Sequence, residues 1–478
     1  GTAALVGMRA ALLRLLPEHP GLQPVDADFV HLFSSWFNRG FLLLRRIDWS
    51  SLDSAGRREA LQRPAVTQNS GLEQKVRNII ATVRQDGDAA LRRLARELDR
   101  AELIDLRVSE DEARAAEAAL PAEARAAIGT AIANVHRFHA AQATPPLRVE
   151  TAPGVVCERV STPLESVGLY VPAGSAPLPS TAVMLGVPSA IAGCRTRVLC
   201  TPPRPDGLAD PAVVVAARAC GIRDIFKVGG AQAIAAMAYG TASVPKVVKI
   251  FGPGNAWVTA AKTMVAADPA GAALDMPAGP SEVMVVGDGR ADPRFVAMDL
   301  LSQAEHGPDS HVVFVALDPD LLARVEAEIE QALPSLSRRA IIEQALRHAI
   351  AVVVTDQGQA VDVANEYAPE HLIVQVADPR AFAADIHTAG SVFLGRWTPE
   401  SVGDYCSGTN HVLPTYGYAR AYSGLSLSDF QRRMTVQEVT LTGLRGLAPT
   451  VQTLAGLEGL DAHARAVTVR LNAADTRP

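Results

Sequence analysis

From Val167 onward, short apolar runs bounded by Gly or Pro alternate with stretches of helical periodicity. This alternation constrains the fold more than any other feature. Parallel neighbours in a sheet need a crossover between them, and a helix is the usual one. Strands are predicted at Val167–Val171, Arg197–Thr201, Asp224–Val228 and Val247–Phe251, with helices over Thr181–Ala192, Pro211–Cys220, Ala231–Tyr239 and Ala256–Ala266. A second series opens at Glu282–Val286 and continues through a helix near Pro293–Glu305. Its further strands are His311–Ala316, Ile350–Thr355, Leu372–Val376 and Ser391–Leu394. The chain is therefore α/β, with two units that change over near Met276–Ser281.

The flanking regions read differently. From Leu42 to about Thr144 the spacing predicts helices, at Leu72–Asp86, Ala89–Leu98 and within Glu110–Gln142. After about Tyr422 the pattern is again helical, with Thr450–Leu457 and Asp461–Leu471 as the strongest segments. Residues 1–40 form an extension to which no role is assigned. Its Arg9, Arg14, Glu18, Asp26 and Asp28 fit neither a signal peptide nor an acid-poor transit peptide. With 45 Lys plus Arg against 51 Asp plus Glu, a net charge of -6 gives no reason to expect nucleic acid or an anionic membrane as partner. The longest mostly apolar stretch, Ala182–Cys194, is interrupted by Pro188 and Ser189 and is too short to span a bilayer. Cys157, Cys194, Cys200, Cys220 and Cys406 form no C-x-x-C pair, which fits a reducing compartment such as the cytoplasm.

Three strand ends of the first series run into small-residue turns: Tyr170-Val-Pro-Ala-Gly174-Ser175, Val228-Gly229-Gly230-Ala-Gln232 and Phe251-Gly252-Pro-Gly254-Asn255. Such turns let the backbone approach a ligand, and the following helix directs free N–H groups at an anion. None completes G-x-G-x-x-G, since Trp257 stands where a third small residue is needed. On its own each loop is better explained as a tight βα turn, and only three at successive strand ends bring the two readings level.

Four polar clusters stand out among otherwise unexceptional histidines. Gln303 and His306, three apart near a helix end, can supply half a metal site. Glu370-His371 follows Pro369 and pairs a carboxylate with an imidazole suited to proton transfer. It precedes its strand, which is the less usual end for a ligand in such sheets. Asp404 and His411 share a long polar loop running to Gly417, and Glu458 and His463 flank Gly459 in the tail. Each cluster also has an ordinary structural explanation: a polar helix end, a cap, or a solvated loop. His136-x-x-His139 reads as a solvated helix face, and His311 as structural.

In combination, Ser-Gln-Ala-Glu-His-Gly at 302–307, Gly-Pro-Gly-Asn at 252–255, Asp-Met-Pro-Ala-Gly-Pro-Ser at 275–281 and Ser-Gly-Thr-Asn-His-Val-Leu-Pro-Thr at 407–415 resemble histidinol dehydrogenases. The resemblance covers about Leu42 to Leu471. It implies two incomplete Rossmann-like domains with mainly parallel sheets, one inserted into the other, and a helical tail used in dimerisation. The expected division is 1–40 extension, 41–166 helical region joined to the first α/β domain, 167–280 cofactor domain, 281–422 remainder of the first α/β domain with zinc and catalytic residues, and 423–478 helical dimerisation tail. It also implies zinc-dependent oxidation of L-histidinol through L-histidinal to L-histidine, the last steps of histidine biosynthesis, with two NAD molecules consumed.

On this resemblance Gln303, His306, Asp404 and His463 bind zinc, and Glu370 and His371 handle protons. Tyr170, Gln232 and Asn255 contact NAD. Ser281, His411 and Glu458, with His371 and the zinc ligands, contact substrate. The tail carrying Glu458 and His463 completes the neighbouring site of a homodimer. The alternatives are a superfamily dehydrogenase of a sulfonated diol such as dihydroxypropanesulfonate, an NAD-independent metal lyase or hydrolase, and a catalytically silent binding protein. A sulfonate favours Arg or Lys beside it, where this chain is expected to have Glu458 and His411.

Overall fold

The structure, a computed structural model, describes residues 43–64, 71–173, 176–277 and 279–475. The N-terminal extension, Gly174, Ser175 and Ala278 lie outside the described residues. The described chain contains strands β1 (Arg45–Asp48), β2 (Leu147–Ala152), β3 (Val155–Pro163), β4 (Ser166–Tyr170), β5 (Thr196–Thr201), β6 (Asp224–Lys227) and β7 (Lys249–Phe251). These are followed by β8 (Ala273–Leu274), β9 (Glu282–Gly287), β10 (His311–Ala316), β11 (Ile350–Val353), β12 (His371–Gln375), β13 (Ser391–Leu394) and β14 (Gln431–Val439).

The two predicted α/β units are present as two parallel sheets. One is five-stranded, in the order β6-β5-β4-β7-β8, and the other six-stranded, in the order β1-β11-β10-β9-β12-β13. Helices cover parallel strands on both faces, so the central strands β4, β9 and β10 are buried along their whole length. Four returning helices begin with Asp-Pro, at 210–211, 292–293, 318–319 and 378–379. In each, the aspartate oxygen accepts from a backbone N–H of the first turn, and proline occupies a position where no N–H is needed.

The structure corrects the flanks. The lead-in is not all helical: β1 pairs in parallel with β11 at the edge of the six-stranded sheet, with Leu44 and Ile47 buried. The helices behind it pack elsewhere. Val76, Ile80 and Val83 of helix Leu72–Asp86 join the core of the five-stranded sheet through Ala233, Ile234 and Val258. The lead-in is thus shared between the two sheets. Ala89–Leu98 is a shorter helix, Asp88–Leu94, closed by one π-turn at Ala95–Asp99. Pro121 splits Glu110–Gln142 into Glu110–Ala119 and Ala122–Ala140.

The region after Tyr422 contains a long strand as well as helices. β14 pairs antiparallel with β3, which pairs with β2, in a mostly exposed three-stranded sheet. Both of its faces are wet, so burial imprints no alternating pattern on the sequence. Just before β14, Phe430 is fully buried and stacks on Phe251 at 4.2 Å, anchoring the start of β14 on the core of the five-stranded sheet. Helices Leu441–Leu457 and Asp461–Asp475 then pack on each other through Leu460 N–H to Ala455 O (2.8 Å) and Gln452 to Thr468 (2.9 Å). Among the described residues no helix is long and apolar enough to cross a membrane.

Candidate active site

In the six-stranded sheet the polar residues gather at the amino edge. β9 starts at Glu282, β10 at His311 and β12 at His371, and the register sets His371 opposite Val283 and His311 opposite Glu282. Helix Pro293–Ala304 returns from β9, so its last turn brings Gln303 back to this edge, with His306 just beyond the Glu305 cap. The predicted helix to Glu305 is one residue shorter. Gln303 is fully buried and His306 exposed.

Glu282 organises the pair. Its backbone N–H donates to Glu370 Oε2 (2.9 Å), and its carbonyl lies 3.1 Å from His371 Nδ1. A carbonyl only accepts, so Nδ1 carries the proton and Nε2 is the nitrogen left to act as a base. Nε2 faces Asp404 Oδ1 at 3.6 Å and makes no hydrogen bond among the described residues. The Glu282 carboxylate is fixed by Arg63, whose Nε donates to Oε2 (2.6 Å) and Nη2 to Oε1 (2.8 Å). Tyr367 donates its hydroxyl to Glu282 Oε2 (3.2 Å), and His311 Nδ1 lies 2.8 Å from the same hydroxyl. His311 is therefore structural, as its isolation in the sequence suggested.

Helix Glu400–Tyr405 supplies two carboxylates one turn apart, Glu400 and Asp404. Ligand atoms of His306, Glu400 and Asp404 lie within 4.8 Å of one another. The Gln303 amide reaches the same group. With the amide oriented so that its nitrogen faces acceptors, the nitrogen donates to Glu400 Oε1 (3.0 Å) and the Glu282 carbonyl (3.3 Å). Glu400 Oε2 is buried without a hydrogen-bond partner among the described residues.

Burial pushes the Glu370 carboxyl up to about 8, offset by the neighbouring His371. Burial likewise takes Glu400 up to about 8. For His371 burial opposes the charged form, but Glu400, Glu370 and Asp404 outweigh it and hold the imidazole well above its usual range. Three carboxyls and one imidazole thus share one buried pocket, a donor set rich in oxygen and nitrogen. Together with the orphaned Glu400 oxygen, this fits a divalent cation, whose charge would return His371 toward its neutral form.

His411 ties this edge to the other sheet. Its Nδ1 lies 2.8 Å from the Asp404 carbonyl and its Nε2 3.2 Å from Thr181 Oγ1. Asn410 donates to Met184 O (2.8 Å) and lies 3.4 Å from His139 Nε2. His139 is fully buried, so the reading of it as part of a solvated face is overturned. Ser281 is half-buried beside Glu282, and its carbonyl accepts from His311 N–H (3.1 Å).

The described parts of the three glycine loops lie at the carboxyl edge of the five-stranded sheet. There Tyr170 Oη accepts from Gly230 N–H (3.0 Å), and burial pushes the phenol up to about 12. Gln232 is buried in the first turn of helix Gly230–Tyr239. Asn255 caps helix Ala256–Ala267, its Oδ1 accepting from Trp257 (3.1 Å) and Val258 (3.2 Å). Gly252 has φ +121°, and a Cβ there would strike the Tyr170 carbonyl. Its own N–H donates to Asp275 Oδ2 (2.8 Å), and Asp275 is ion-paired with Lys262. Several donors expected to be free for an anion are thus taken by the chain's own side chains.

The tail residues are not brought to the cluster within one chain. Glu458 closes helix Leu441–Leu457, Gly459 turns the backbone at φ +69°, and His463 lies in the first turn of the next helix. Both side chains are exposed. Sequence reasoning missed Glu282, Arg63 and Glu400. Only Glu400 left a signal, its four-residue spacing from Asp404.

The family model for histidinol dehydrogenase matches residues 61–471, and a malonyl-CoA decarboxylase N-terminal domain model matches residues 1–37, outside the described residues. The chain is 55% identical over 428 residues to histidinol dehydrogenase of Photobacterium profundum, covering 90% of this chain and 96% of the relative. With that of Vibrio cholerae serotype O1 it shares 54% identity over 90% and 98% of the two chains. The crystal structure of histidinol dehydrogenase from Elizabethkingia anophelis superposes with a TM-score of 0.87 at 43% identity, covering 91% of this chain and 99% of that one. The chain belongs to the histidinol dehydrogenase family, whose members are NAD-dependent oxidoreductases.

Proposed function

We propose that this protein oxidises L-histidinol through L-histidinal to L-histidine, with NAD as hydride acceptor and zinc in the amino-edge cluster. The observation that carries the reading is the buried Glu370–His371 pair held against His306, Glu400 and Asp404 in a chain matched by the family over 61–471. Every relative reported above is a histidinol dehydrogenase, which leaves the sulfonated-diol reading without support.

Gln303, His306 and Asp404, with His463 of the partner subunit, would hold the zinc. This oxygen and nitrogen set fits a catalytic ion. When bound, it supplies an electropositive anchor for the substrate's nitrogens. Alcohol oxidation needs a base for the hydroxyl proton. His371 Nε2 takes it, Nδ1 being fixed on the Glu282 carbonyl, while hydride leaves the carbinol carbon for the nicotinamide. The aldehyde must be hydrated before a second hydride can leave. Glu370, once deprotonated, takes a proton from the attacking water. His411 and Ser281 border the substrate, and Glu458 of the partner subunit favours its cationic amino end.

Tyr170, Gln232 and Asn255 form the NAD contacts at the carboxyl edge of the five-stranded sheet. Residues 167–280 act as the cofactor domain, and 281–422, with β1, as the zinc and proton-transfer domain. The tail at 423–478 forms a homodimer. The exposure of Leu454, Leu457 (80%) and Val469 on the paired helices supports this, since such side chains favour a covering surface. The free cysteines fit the cytoplasm.

The test is a steady-state count of NADH formed per histidinol consumed, with and without chelator. Two hydride transfers predict a ratio of about two, abolished by chelation and restored by zinc. A ratio of about one, or activity indifferent to chelation, would contradict the proposal.

A further inference from the structure

Glu400 has no part in the roles assigned above, yet it is among the most enclosed charges in the protein, with 1% of its surface exposed. With the Gln303 amide oriented so that its nitrogen faces acceptors, one oxygen receives that nitrogen at 3.0 Å, and the other has no partner among the described residues. It lies one helical turn from Asp404 and 3.9 Å from His371 Nδ1. A buried carboxylate is costly to keep without a purpose for its acceptor capacity.

An amide side chain binds a hard cation only through its oxygen, and the two ends of the amide are otherwise nearly equal in shape. Something must decide which end faces the ion. Glu400 Oε1 and the Glu282 carbonyl are both acceptors, and they converge on the same end of Gln303. Two acceptors on one side select the nitrogen for that side and leave the oxygen on the other. Residues that orient a metal ligand in this way affect affinity nearly as strongly as the ligands themselves.

We propose that Glu400 is a positioning residue of the cation site: by holding the Gln303 amide nitrogen at 3.0 Å, it keeps the Gln303 oxygen turned toward the ion. This rests on the reading of Gln303 as a zinc ligand. It makes Glu400 an orienting group, and separates it from His306 and Asp404 as direct ligands.

The test is zinc affinity of the full-length protein, measured by competition with a chromophoric chelator, for Glu400→Ala, Glu400→Gln, Gln303→Ala and the double variant Gln303→Ala/Glu400→Ala. Glu400→Ala is expected to weaken zinc binding by about 10–100-fold. Glu400→Gln keeps an oxygen that can accept from Gln303 and should stay within about threefold of wild type, far from the loss on truncation. In the Gln303→Ala background, removing Glu400 should add less than about twofold, because the two act as one unit. Undiminished loss in that background would show Glu400 acting independently of Gln303 and overturn the inference. So would a Glu400→Gln variant as weak as Gln303→Ala, which remains decisive if Glu400→Ala does not fold. A wild-type protein that binds no zinc would instead overturn the functional reading beneath it.

Discussion

The two sheets gather their polar clusters at opposite edges, and the edges differ in how fully they satisfy themselves. At the carboxyl edge of the five-stranded sheet, Tyr170 takes the Gly230 N–H, Asn255 caps its own helix, and Asp275 takes Gly252 and Lys262. At the amino edge of the six-stranded sheet, His371 Nε2 and Glu400 Oε2 are buried without hydrogen bonds among the described residues, amid three carboxylates. An edge that has closed its own hydrogen bonds binds a ligand only by exchange, which suits a cofactor that must leave and return between two oxidations. An edge with buried polar atoms left unpaired is complete only with a further group present. On the proposed function, the difference separates a reversible cofactor platform from a resident cation site.

The sharpest way to break this comparison lies in the proton-transfer pair. Glu370→Gln should slow oxidation of supplied histidinal by about 10²–10⁴-fold, with a much smaller effect on the first hydride transfer from histidinol. Single-turnover kinetics on each substrate read the two steps separately, and equal losses would remove the division of labour between Glu370 and His371. Next in size is Arg63→Ala, which strands the buried Glu282 carboxylate. A loss of about 3–5 kcal/mol in denaturant unfolding is expected, with activity falling as the Glu282 clamp loosens. An unchanged midpoint would show that the ion pair does not hold this edge.

Smaller effects belong to the carboxyl edge. Gly252→Ala drives a Cβ into the Tyr170 carbonyl at a positive φ, so about 1–3 kcal/mol of strain is expected. KM for NAD should rise while zinc content stays at the wild-type level. A loss of zinc would mean that the two edges are not independent. Asn255→Ala removes a helix cap worth about 1 kcal/mol and should raise KM for NAD modestly, leaving the chelator response unaltered.

What the sequence made legible follows from burial and periodicity. The parallel strands that were predicted lie within two residues of those observed because most have both faces covered, as at His311–Ala316, and are bordered by Gly or Asp-Pro. β14 was illegible because its Arg432–Val439 side chains are exposed on both faces, and cross-strand pairing with β3 holds it in place of a core. β1 was missed for another reason: a four-residue strand at a sheet edge leaves too short an imprint.

At the site, His306, Glu370, His371 and Asp404 were visible as types in motifs, but their convergence depends on the helix return to the amino edge. Arg63 and Glu282 carried no local sign. Their partnership spans 219 positions and exists only once β9 is placed. His139 looked solvated because its partner Asn410 is more distant still in the chain, 271 residues away.

The central claim is that the amino edge of the six-stranded sheet holds a zinc ion completed across a dimer. Anomalous diffraction at the zinc absorption edge from crystals of the zinc-loaded protein tests it most directly. A single peak per chain beside Gln303, His306 and Asp404, with His463 of the partner subunit in contact, is the expected result. A peak elsewhere, or one at the cluster with His463 remote from it in every subunit, would contradict the account.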